Sequence, residues 1–153
     1  MTPKLLFTII SLIGLFISLR QTGIFQKTIT SALFLSIVLT WITDQKILLY
    51  SLSLMLLLAS SFASLIYGLV VYGLTKTERI IISVTGFLFT MGTIFKIQHW
   101  PGQVEFRILL VLSLVAFIVL TIKDNAMIKE RGFMLIWTAL AIDQMIRLSH
   151  ILR

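Results

Sequence analysis

Charged residues punctuate the chain, and the stretches between them are almost wholly apolar. The first run lies between Lys4 and Arg20, and the second between Lys27 and Asp44. The third covers 47–75, 29 residues without a charge. The fourth follows Lys76, Glu78 and Arg79, and the fifth follows the break at His99-Trp100-Pro101-Gly102. The sixth carries Asp143 and Arg147 in its interior. These runs are continuous rather than alternating and exceed the ~10 residues of a barrel strand, so the pattern predicts helices. A helix that crosses a bilayer needs about 20 residues at about 1.5 Å each. The third run is long enough with tilt, and the fifth and sixth match. The others reach the length by drawing on polar flanks, which snorkelling Lys and Arg side chains permit. The expectation is an all-α integral membrane protein, one domain forming a polytopic bundle of about six transmembrane helices. They are placed at 5–20, 28–43, 47–75, 80–98, 104–122 and 132–152. The count falls to five if the first two runs form one re-entrant hairpin.

Composition agrees with a lipid solvent. The 153 residues are 58% hydrophobic and 12% charged, about half the ~25% charge of soluble domains. A water-soluble fold of this size has too much surface for its volume to hide so much apolar area. There is no cysteine, which removes disulfides, thiolate metal sites and cysteine nucleophiles. The net charge of +7 is spread singly or in pairs between apolar runs. That spread argues against nucleic acid, whose phosphates need Lys and Arg clustered on one face. It fits loops held beside anionic lipid.

Basic residues also set an orientation. One side holds Arg20, Lys27, Lys76, Arg79, Lys123, Lys129 and Arg131, seven in all. The other holds Lys4, Lys46, Lys96, Arg107, Arg147 and Arg153; setting Lys96 and Arg147 aside as helix-end residues leaves four of these six. The richer side is expected to be cytoplasmic, in a bacterial inner membrane, with the HWPG turn periplasmic. Lys4 and the run behind it imitate a signal peptide, but no small-x-small cleavage site follows. The run is expected to stay as a signal anchor.

Two internal patterns bear on packing. Ser60, Ser64 and Gly68, with Ala59 and Ala63 beside them, form a small-xxx-small ladder on one helical face. Such a ladder lets backbones approach closely, and its partner is either another helix of this chain or a second copy. Ile9-Ile10-Ser11-x-x-Gly14 recurs as Ile81-Ile82-Ser83-x-x-Gly86, a faint sign of duplicated hairpins.

The segment Phe95-Lys96-Ile97-Gln98-His99-Trp100-Pro101-Gly102 is the most specific in the chain. Pro101 has no N–H and disfavours helical geometry at Trp100, so a helix ends there. Gly102 supports the turn, Trp100 suits an interface, and Lys96 and His99 share one face of the last turn. Their positive character complements a helix C-terminus. With Gly86, Gly92 and Glu105, the segment resembles the transmembrane hairpin of GldL, the membrane motor subunit of gliding motility and type IX secretion. The resemblance covers about 80–122. It implies an oligomeric, proton-driven stator in which the Lys96 and His99 positions take part, with the turn on the periplasmic side. The family also carries a glutamate in its second hairpin helix, whereas 109–122 here has no ionisable residue. Where the family continues into a cytoplasmic domain, this sequence has further apolar runs on both sides of the hairpin. The resemblance therefore implies an accessory relative rather than a motor.

Asp143 lies about 16 Å into the sixth run by helical rise. A carboxylate at that depth costs at least ~2.5 kcal/mol and faces a bundle interior or an aqueous path. Arg147 and His150 follow at i+4 and i+7 on the same face. The plain reading is an intrahelical Asp143–Arg147 pair. The functional one is a proton or cation relay through Asp143, Arg147 and His150, meeting Lys96 and His99. No G-x-S-x-G elbow or phosphate-binding glycine loop occurs, and the two histidines are far apart. The sequence thus predicts no enzyme, metal or cofactor. It predicts a membrane assembly component whose partners are lipids and other membrane proteins or a second copy, with a small conductor as the alternative.

Overall fold

The computed structural model describes residues 3–20, 23–42, 47–98, 103–124 and 130–151. Among them are six α-helices: α1 (Pro3–Leu19), α2 (Ile24–Ile42), α3 (Ile47–Val70), α4 (Lys76–Ile97), α5 (Gln103–Asp124) and α6 (Arg131–Ile151). Each apolar run becomes one helix, and the first two runs are separate helices of 17 and 19 residues. Two of the helices, over Leu48–Val70 and Lys76–Ile97, are long and apolar enough to cross a membrane.

One boundary departs clearly from expectation. The third run stays uncharged to Thr75, but α3 stops at Val70. Gly73 takes a φ of 94°, a left-handed value that costs glycine little, and turns the chain. Thr75 then opens α4 through a capping box. Its backbone N–H donates to Glu78 Oε2 at 2.7 Å, and the Glu78 N–H donates to Thr75 Oγ1 at 3.3 Å. Lys76, Glu78 and Arg79 therefore belong to the first turn of α4. The Arg79 guanidinium reaches back 2.8 Å to the Val71 carbonyl, satisfying the exposed end of α3.

The helices form a ring in which each packs on its sequence neighbours, α1 closes on α6, and α2 touches α6 across the middle. Short connections make sequence neighbours antiparallel. One end of the ring therefore collects the C-termini of α1, α3 and α5 with the N-termini of α2, α4 and α6. The described basic residues Arg20, Lys27, Lys76, Arg79 and Arg131 fall at that basic end. The core lies between α2, α4, α5 and α6, where Ile82, Leu33, Phe133, Met134 and Ile136 are buried and the Phe89 ring meets Trp137 at 3.9 Å between centroids.

Glycines set the closest crossings. A Cβ on Gly14 would stand 2.7 Å from the Gly132 carbonyl oxygen, so α1 and α6 touch backbone to backbone. On Gly86 it would stand 2.6 Å from the Leu65 nitrogen and 2.9 Å from the Ser61 carbonyl. The glycines of both Ile-Ile-Ser-x-x-Gly copies thus mark helix crossings, α1 with α6 and α3 with α4. Gly68 abuts Ser83 of α4, so its contact lies within this chain.

Hydroxyls point inward. Thr30, Ser64, Thr85, Thr90 and Thr93 donate to carbonyls one turn back, the usual resort of a hydroxyl in an apolar helix. Others join helices: Thr40 with Ser53 at 2.6 Å, Ser53 with the Ser36 carbonyl at 2.9 Å, and Thr85 with Ser113 at 2.6 Å. Outward faces carry the reverse pattern. Leu12, Phe16, Leu35, Met55, Phe87 and Leu112 are among many large apolar side chains left exposed.

Candidate functional site

At the basic end three buried polar side chains from distant parts of the chain meet. Gln26 lies in the first turn of α2, Tyr67 in the last turn of α3, and Glu130 immediately before α6. Gln26 Nε2 donates to the Tyr67 hydroxyl at 2.6 Å, and that hydroxyl donates to Glu130 Oε1 at 2.7 Å. The chain is polarised: an amide donor, a phenol that both accepts and donates, and a carboxylate that accepts. All three are at least nine-tenths buried, with Glu130 only 3% exposed. A carboxylate so removed from water is held only where a strong donor meets it.

Local sequence explains the alignment. The Gln26 amide lies over the Cα of Gly23, in space that any Cβ there would occupy. The Tyr67 ring is held from two sides, stacked with Phe25 at 6.2 Å and edge-on to Phe133 at 5.9 Å. The hydroxyl is thereby aimed at Glu130. The arrangement ties α2, α3 and the entry to α6 into one unit at the bundle's end.

Gly23→Ala is expected to push the Gln26 amide off Tyr67 and cost about 1 kcal/mol, the worth of a typical hydrogen bond. Thermal unfolding in detergent micelles checks it. In a Gln26→Ala background most of the effect should vanish, since no amide is left to displace. A full-sized effect in that background would show that Gly23 acts through something else.

The residues singled out from sequence are placed as follows. Lys96 is exposed on the last turn of α4, its Nζ 5.6 Å from the centroid of the Tyr50 ring in α3. That contact directs it toward α3 rather than α6. Asp143 is half-buried in α6 and engaged with a neighbouring group. His99 and the interfacial turn Trp100, Pro101 and Gly102 lie outside the described residues, as do the side chains of Arg147 and His150. Ser60 and Ser64 are buried, with hydroxyls bonded to the Leu57 and Ser60 carbonyls. The α4–α5 hairpin is held by Thr85–Ser113 and by the Phe95 and Phe106 rings at 4.8 Å. Among the described residues no group of His, Cys, Asp and Glu is placed to hold a metal ion.

Sequence reasoning passed over Gln26, Tyr67 and Glu130. Two faint signals were there: Tyr67 carries a hydroxyl deep in an uncharged run, and Glu130 is an acid inside a basic stretch. No family model matches the chain, and neither curated proteins nor solved structures give a significant match.

Proposed function

We propose that the chain is a multi-pass protein of the bacterial inner membrane, all six helices embedded, serving as a non-enzymatic assembly or accessory component of a membrane complex. The observation that carries the membrane reading is the inverted surface. Large aliphatic and aromatic side chains cover the outside, while Ser53, Ser61, Thr85, Thr93 and Ser113 are buried with their hydroxyls bonded. In water, an apolar surface running around several helices exceeds the few hundred Å² that monomers expose. In lipid the same surface costs nothing, and polar groups must find partners inside, as the hydroxyls bonded along and between helices do. Even the shortest helix, α1 at 17 residues, reaches about 25 Å and spans with snorkelling ends.

The accessory role rests on the hairpin's resemblance to GldL together with the uncharged interior of α5, which has no carboxylate for a motor's proton path. In this reading the basic end faces the cytoplasm and the HWPG turn the periplasm. Two measurements test the proposal. The chain should stay in the membrane pellet under alkaline carbonate, and mild crosslinking of native membranes should place it in a species larger than a monomer. Release by carbonate overturns the membrane reading. A pelleting chain that remains a strict monomer overturns the assembly role.

A further inference from the structure

We propose that the basic end of the bundle is a docking surface for anionic phospholipid headgroups, centred on Arg20, Lys27 and Lys76; the inference rests on the membrane reading above. The antiparallel ring sets these cations at the same end of the bundle, Arg20 at the end of α1 and Lys27 and Lys76 at the starts of α2 and α4, spread around the rim rather than in mutual contact. Arg20 and Lys76 are exposed and Lys27 is half-buried.

Two carboxylates of this end are turned inward. Glu78 is buried and accepts from the Thr75 N–H, and Glu130 is buried and accepts from Tyr67. Neither of these two acids faces outward; Asp124 ends α5 at the same end, and its side chain lies outside the described ones. At the opposite end Glu105 is exposed, so that face is mixed in sign. Helix dipoles do not alter the balance, because three N-termini and three C-termini share the basic end. The sign is set by side chains. The hydrogen bonds that bury Glu78 and Glu130 therefore have an outward consequence: they remove negative charge from the face presented to a leaflet.

A lipid rather than a free anion is favoured by what adjoins the cations. Leu19 stands next to Arg20, and Ile24 and Phe25 precede Lys27, all exposed and apolar. Tyr72, almost fully exposed at the α3–α4 turn, adds an aromatic of the kind that sits at headgroup level. A phosphodiester with acyl chains can meet cation and apolar flank together; inorganic phosphate meets only the first.

The test uses the full-length protein in neutral detergent micelles, titrated with phosphatidylglycerol or with phosphatidylcholine of the same chain length. Native mass spectra and thermal midpoint shifts read binding. Phosphatidylglycerol should bind and stabilise selectively, with an affinity that falls as salt rises. Each cation near an anionic surface contributes about five-fold, so Arg20→Gln/Lys27→Gln/Lys76→Gln should lower the affinity about a hundred-fold. Lys96→Gln, at the other end, should leave it unchanged. Equal binding of both lipids, equal loss in Lys96→Gln, or full competition by inorganic phosphate at matched concentration overturns the inference. Those results in a chain that stays in the carbonate pellet sink the docking surface alone; carbonate release sinks the membrane reading beneath it.

Discussion

Tyr67→Phe is expected to destabilise the protein by about 3 kcal/mol, because it deletes one oxygen that two buried groups use. The phenol accepts from Gln26 and donates to Glu130. Without it the Glu130 carboxylate, 3% exposed, loses its donor and the Gln26 amide loses its acceptor. Phe fills nearly the same volume and keeps the ring contacts with Phe25 and Phe133, so little of the loss can be ascribed to packing. The asymmetry of hydrogen-bond energetics gives a sharper check. Removing one partner strands a charge, whereas neutralising the other as well removes the reason for the penalty. Tyr67→Phe/Glu130→Gln should therefore be more stable than Tyr67→Phe alone, and the two substitutions should be strongly non-additive. Unfolding titrations in mixed micelles measure all four corners of the cycle. Tyr72→Phe, at an almost fully exposed tyrosine, is the control and should be silent. Additive losses at Tyr67 and Glu130 would mean that the bond between them does not hold the bundle's end together.

Helix number and order were legible in the sequence because each helix is bounded by charges and uninterrupted by them. Helix ends were less so. Charge marks where a chain meets water, not where its hydrogen-bond ladder stops. The Thr75–Glu78 capping box and the Gly73 turn moved the α3–α4 boundary into residues that look apolar up to Thr75 and charged beyond it. The glycine of the Ser60–Ser64–Gly68 ladder meets α4 at Ser83, while the closest backbone approach uses Ser61, Leu65 and Gly86. Spacing along one helix names a small face but not which neighbouring turn fits it. The buried chain was out of reach altogether. Its links join residues 41 and 63 positions apart, and no local period connects them. Of the candidate relay, Lys96 and Asp143 are described, and the Tyr50 contact turns Lys96 toward α3.

Two Gly→Ala substitutions in α4, six residues apart, should move stability in opposite directions. Both positions gain the same single methyl. At Gly86 that methyl meets backbone: the Leu65 nitrogen at 2.6 Å, the Ser61 carbonyl at 2.9 Å and the Leu65 Cα at 3.0 Å. No side chain can rotate away, so α3 and α4 must separate along a contact that also seats Gly68 against Ser83. Overpacking of this kind costs about 1–3 kcal/mol, and loss of close backbone contact between helices adds to it. At Gly92 the nearest atom is the Phe106 Cβ at 4.0 Å, an ordinary contact with α5. There the substitution removes the backbone freedom that glycine forfeits on entering a helix, a gain of up to about 1 kcal/mol. The pair should thus differ by about 3 kcal/mol, in the same measurement and with matched chemistry. A length series sharpens it: Gly86→Val should be worse than Gly86→Ala, and a compensating Ser61→Gly should not rescue it, because the obstructing atoms are backbone. If Gly86→Ala is neutral, α3 and α4 are not in backbone contact at this level. The hairpin would then be held by Thr85–Ser113 and the Phe95–Phe106 pair on the side of α5 instead.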